Sequence, residues 1–174
     1  MKTLSQLRAL LFDPMDRDDW LLPTLARIVF VAVFFFYFLN SAGTKIEGSI
    51  FSPSAGAFAQ IFPKAAEAVL YDVTQLSAIQ RIVILLGTVA EYVLPVLILV
   101  GLLTRFAAVA MIGFVAVQTL VDVTGHGVKL GVWFNNAPEL LDERTLWIFL
   151  LVVLVIKGAG PMSIDRFFTA RSEA

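Results

Sequence analysis

The feature that most limits what this chain can fold into is the length of its apolar runs. From about Leu21 to Ala42 only Arg27 carries a charge. At about 1.5 Å of rise per residue, a helix over that run matches a bilayer core of about 30 Å. A second run extends from about Ile79 to Leu103 with Glu91 in its interior, and a third from about Phe106 to Asp122. The fourth is shorter, Thr145 to Ile156. Starting it at Pro138, a favoured first helical position, gives about 20 residues or 30 Å, with Gly158 and Pro161 to end it. The expected fold is all-α: an integral membrane four-helix bundle with short interfacial helices. It forms one domain over residues 1–174, with spans at about 21–42, 79–103, 106–122 and 138–157.

Composition supports a lipid environment. Hydrophobic residues make up 59% of the chain, charged ones 16%, and mean hydropathy is +0.85. A typical soluble domain is about 45–50% apolar and about 25% charged. The net charge of -1 gives no field to attract nucleic acid, so that partner class is set aside. The absence of cysteine excludes thiol relays, disulfides and cysteine-held metals. One histidine, His126, is too few for a bis-histidine haem or a His-rich metal site, so no metal is expected.

About twenty largely polar residues precede the first apolar run, which does not read as a cleavable signal peptide. Leu4, Leu7, Leu10 and Leu11 fall at helical spacing there, as in a helix lying on a membrane surface or in a frayed polar tail. Asp18 or Asp19 would sit near the first helix cap. Four spans place both termini on one side. Lys2, Arg8, Arg17, Arg27, Arg105, Lys157, Arg166 and Arg171 lie on that side, against Lys45, Lys64, Arg81, Lys129 and Arg144 opposite. The excess of basic residues places the termini in the cytoplasm. Gly101 to Arg105 makes a tight hairpin between spans two and three. Residues Gly43 to Ala78 read as one or two interfacial helices with Pro53 and Pro63 as breaks or first-turn residues, and Gly125 to Asn136 as a loop folding back over the bundle.

Function belongs to the polar residues within this apolar background. A carboxylate at Glu91 costs about 2–3 kcal/mol to insert and must face other helices. It lies fourteen residues before Arg105, and Gln118 lies thirteen after, so both stand about 20 Å from the turn on neighbouring helices. Gly87, Thr88 and Pro95 share the Glu91 face, and Arg27, Phe34, Tyr37, Ser41, Thr44 and Lys45 share one on span one. Side chains lean toward their own helix N-terminus, which carries Arg27 away from Glu91 and brings Tyr37 and Lys45 toward it. The expected site is an outer-half polar pocket of Tyr37, Asn40, Lys45, Glu91, Gln118, Asp122 and His126. Glu91 would accept hydrogen bonds there, and Lys45 or His126 would exchange protons with outer water. The alternative is a structural network that fixes helix pairing. His126 equally suits a structural loop role, Arg27 and Arg105 read as interface anchors, and Trp20, Trp133 and Trp147 as belt residues.

These residues resemble the DoxX family of small four-helix bacterial membrane proteins over nearly the whole chain. Asn40-Ser41-Ala42-Gly43-Thr44-Lys45 is similar to its motif closing span one, and Glu91 to its acidic residue in span two. Gly101 to Arg105 is similar to its GLLTR-type turn, His126 falls where members often have a histidine, and Gly160-Pro161-Met162-Ser163-Ile164-Asp165 resembles its closing motif. Ser163 there can cap a short surface helix carrying Ile164, Phe167 and Phe168.

The family is similar to the membrane subunit of thiosulfate:quinone oxidoreductase. The resemblance therefore implies a bacterial inner-membrane location and a role in passing electrons to quinone, and supplies no catalytic residue. Quinone is the only cofactor it suggests. Three readings follow: a redox-associated subunit binding quinone or a similar lipid-soluble molecule, a non-catalytic anchor or assembly partner for soluble proteins of a stress-response complex, and a small transporter. The last has one buried acid and no broken-helix repeat behind it.

Overall fold

A computed structural model of the chain describes the backbone of residues 20–172 and the side chains of residues 20–168. The surface helix expected on Leu4, Leu7, Leu10 and Leu11, the cap at Asp18 or Asp19, and the charges of Lys2, Arg8, Arg17 and Arg171 lie outside them. The described part is helical apart from loops and one small hairpin. Helix α1 spans Leu21–Thr44, strands β1 Ile46–Glu47 and β2 Ser49–Pro53, and short helices α2 Ala55–Ile61 and α3 Pro63–Ala68. Long helices α4 Ala78–Val100, α5 Thr104–Thr124 and α6 Leu140–Lys157 follow, then α7 Ile164–Ser172. Three of them, α1, α4 and α5, are long and apolar enough to cross a membrane.

The long helices touch in the order α1, α4, α5, α6 and back to α1. Phe30, Phe34, Phe38, Ile98, Met111, Val115, Leu151 and Leu154 fill the space between them. Most large apolar side chains point the other way, Val33, Phe36, Leu86, Phe106 and Phe149 among them, as lipid-facing surfaces do. In α1, residues Val31–Phe35 form a π-helical turn. A regular helix drifts about 40° over each four-residue step. The wider turn absorbs that drift, so Phe30, Phe34, Phe38 and Ala42 all stay buried. This corrects the expected α1 face: Phe38 and Ala42 point inward, while Tyr37 and Thr44 are exposed.

Sequence chemistry explains the ends. Ser77 and Gln80 form a capping box that starts α4. Gly101 ends it at φ +70°, and a side chain there would meet Ser163 Cβ at 2.5 Å. Helix α6 starts at Leu140 rather than Pro138, because Glu139 and Asp142 form its capping box. Its charges Asp142, Glu143, Arg144 and Lys157 sit in its end turns, leaving Thr145 to Ile156 apolar between them.

The segment after α1 holds an antiparallel hairpin that the residue pattern did not announce. The two strands are too short for an alternating signal. Pro53 ends β2, and Pro63 is the first residue of α3. Ser54 caps α2 through Ala57 N–H and donates to the Thr44 carbonyl at 2.7 Å, fastening the segment to the end of α1. Phe58, Ala66 and Ile84 make a second small core where α2 and α3 meet α4. The loop after α5 leans onto this segment: a side chain at Gly125 would meet Pro63 Cγ at 2.9 Å.

Candidate functional site

Lys45 is the residue at which α1 ends, and Ser41 lies one turn before it on the same face. Both meet Glu91 of α4. The Lys45 ammonium donates to Glu91 Oε2 at 2.6 Å and to Ser41 Oγ at 2.7 Å, and Ser41 donates to Glu91 Oε1 at 3.0 Å. Lys45 and Glu91 are each 3% exposed. Such a pair needs every lone pair engaged, because desolvating two ions costs several kcal/mol each. The buried face of α4 runs through Ile84, Thr88, Glu91, Pro95 and Ile98. Pro95 lacks the N–H that would bond the Glu91 carbonyl, so the ladder is broken beside the ion pair. Gly87 is not part of this interface, since nothing lies within 4 Å of where its Cβ would be.

A second polar cluster stands where α1, α5 and α6 meet. Gln118 Nε2 donates to the Tyr37 hydroxyl at 3.0 Å. Asp122, one turn beyond Gln118, accepts from Arg144 Nη2 at 3.0 Å. The Arg144 guanidinium lies 4.1 Å from the centre of the Trp147 ring, a cation–π contact. Trp147 packs in turn against Phe34, Tyr37 and Phe38, with ring centres 4.8, 5.6 and 6.3 Å away. The contacts thus run from Asp122 through Arg144, Trp147 and Tyr37 to Gln118, which stands one turn before Asp122 on α5. Arg144 is 6% exposed, yet its Nε and Nη1 have no hydrogen-bond partner, and neither has the buried Gln118 Oε1.

The seven expected residues therefore separate. Lys45 and Glu91 meet, with Ser41 between them. Tyr37 and Gln118 pair with each other, and Asp122 pairs with Arg144. His126 is exposed and shares a hydrogen bond of 2.8 Å between its Nε2 and the Gln60 carbonyl, joining the loop after α5 to α2. Asn40 lies exposed on the outer face of α1, outside both clusters. Glu91 and Gln118 are not hydrogen-bonded to each other: Glu91 is held by α1, and Gln118 faces Tyr37. Trp147 is partly buried and packs against the core.

Arg144 and Trp147 were missed by sequence reasoning. Depth counting would have found the arginine, since Asp122 is two residues before the end of α5 and Arg144 four after the start of α6. On antiparallel helices the two differ by only about 3 Å in height.

At the other end, Arg27 does turn away from Glu91. Its guanidinium donates to the Ile98, Leu99, Ala159 and Met162 carbonyls at 3.1, 2.6, 2.9 and 2.6 Å. These include carbonyls at the end of α4 that lack helical partners. Asp165 accepts from Leu103 N–H and Thr104 N–H at 2.7 and 2.9 Å, capping α5 from a distance. Ser163 caps α7 by accepting from Arg166 N–H at 3.2 Å. The Gly101–Arg105 and Gly160–Asp165 motifs, sixty residues apart, thus interlock.

No family model, curated protein or solved structure matches this chain.

Proposed function

We infer that this chain is a four-span inner-membrane protein of the DoxX type with cytoplasmic termini, a redox-associated subunit that binds a quinone or a similar lipid-soluble molecule. The observation that carries the reading is the Tyr37–Gln118–Arg144–Trp147 cluster, whose buried hydrogen-bonding capacity is unfilled and whose walls are aromatic. A fourth span at α6 is consistent with Arg144 turning inward to Asp122, which leaves the apolar Thr145–Ile156 stretch to the lipid.

The residues fit such a ligand. Arg144 Nε and Nη1 are free to donate to a carbonyl oxygen and Gln118 Oε1 to accept from a hydroxyl, with the packed rings of Tyr37 and Trp147 beside them. When bound, a quinone supplies a two-electron, two-proton couple. Tyr37, Ser41 and Lys45 follow one another at single-turn spacing along α1. The Lys45–Glu91 pair thus lies two turns along α1 from Tyr37.

Equilibrium dialysis of a decyl-tailed benzoquinone against the full chain in nanodiscs tests this. Saturable binding is expected, about tenfold weaker in Arg144→Gln, as loss of a charged hydrogen bond of about 1.5 kcal/mol implies. Uptake equal to that of empty nanodiscs sinks it.

A second reading, a membrane anchor for soluble partners, is favoured by the closure of the Lys45–Glu91–Ser41 group, in which both carboxylate oxygens are engaged. Affinity purification from native membranes with a stoichiometric soluble partner, and no quinone binding, would select it.

A further inference from the structure

We propose that the end of the molecule carrying α7 holds the phosphate headgroup of an anionic phospholipid. A groove of about 980 Å³ opens there between the α4–α5 turn, the end of α6 and the start of α7. Among the described residues, Arg105, Lys157 and Arg166 line it together with one acid, Asp165, whose carboxylate oxygens accept from Leu103 and Thr104 N–H.

The groove is built rather than incidental. Arg105 lies over Gly158, where an added Cβ would stand 3.3 Å from its Nε. Gly158 has φ +75°, so residue type and backbone both leave room for the Arg105 side chain to lie there. Thr104 also lines the groove; it is fully buried, and its hydroxyl has no hydrogen-bond partner. A phosphate group in the groove accepts charge-assisted hydrogen bonds from the exposed guanidinium groups of Arg105 and Arg166.

The rim identifies a lipid as the source of that phosphate. Trp20, Leu103, Phe106 and Phe168 border the groove and are 46%, 55%, 76% and 58% exposed. Cations at the ends of apolar helices, beside exposed aromatic side chains, match a headgroup with its acyl chains alongside. Soluble phosphate would gain nothing from that rim.

Trp20 supplies the readout. The full chain is placed in phosphatidylcholine vesicles containing either brominated phosphatidylglycerol or brominated phosphatidylcholine at the same mole fraction, and tryptophan fluorescence is recorded. Greater quenching by the anionic lipid is expected, and it disappears in Trp20→Phe. Arg105→Gln and Arg166→Gln each reduce the relative affinity for the anionic lipid about fivefold, from about 1 kcal/mol per basic residue near a membrane surface. Both side chains are exposed, so folding survives, and Arg105→Lys restores most of the preference. Equal quenching by the two lipids overturns the proposal. So does displacement of the anionic lipid by inorganic phosphate at equal concentration, which would assign the groove to a free anion.

Discussion

At the residue scale, the Lys45–Glu91 pair can be examined apart from any ligand. Removing one partner of a buried pair leaves an uncompensated charge, at about 3 kcal/mol or more. Lys45→Met is therefore expected to lower stability by about that amount in reversible denaturant unfolding in mixed micelles. Lys45→Met/Glu91→Leu should recover most of the loss, because no charge then remains to be desolvated. Strictly additive losses would show that the two side chains do not act as a pair. Lys45 as the partner of Glu91 was legible in the sequence, because depth and the lean of helical side chains decide it. Asn40 was misplaced for a related reason: it neighbours Ser41 in sequence but stands about 100° away around the helix. The burial of Arg144 was not legible as a functional feature, since a charge near a helix end reads first as a surface anchor.

At the element scale, the two ends of the long helices are organised differently. The α4–α5 turn is fixed by Arg27 below α4 and by Asp165 at the start of α5. Arg27→Met removes donors to four carbonyls, so hydrogen exchange is expected to accelerate at Leu102 and neighbouring amides of the turn while the middle of α4 stays protected. Unchanged protection throughout the turn would mean that the arginine does not hold it. The tight turn at Gly101 to Arg105 was readable, but the span was carried to Leu103, whereas the left-handed cap at Gly101 ends α4 at Val100. The phase of α1 was read only in part: a π-helical turn has no fixed residue signature, and a regular 3.6-residue wheel puts Tyr37 and Thr44 on the inner face in place of Phe38 and Ala42. The strand pair was equally silent, being held by its closure through Ser54 onto Lys45 and Thr44 rather than by its own side chains.

At the scale of the whole molecule, four spans with cytoplasmic termini require the β1–β2 hairpin and the α6–α7 connection to face opposite sides of the membrane. The chain has no cysteine, so single introduced cysteines report cleanly. In spheroplasts, Ser49→Cys is expected to react with a membrane-impermeant maleimide, and Met162→Cys, at an exposed residue, only after permeabilisation. Labelling of both from the same side would remove α6 as a span or place an additional crossing elsewhere. The apolar runs made the three membrane-long helices α1, α4 and α5 readable at once. What they could not convey is that the polar side chains gather into two clusters, one closed on itself and one with unfilled hydrogen-bonding capacity.

The second cluster is the centre of the functional reading, and covalent mapping reaches it most directly. Irradiating the full chain in nanodiscs with an azido-quinone and sequencing the labelled peptides should find label concentrated around Tyr37, Gln118 and Trp147, with excess unlabelled quinone competing it away. Label spread over the lipid-facing side chains of all the long helices, undiminished by competitor, would contradict a quinone site in this molecule.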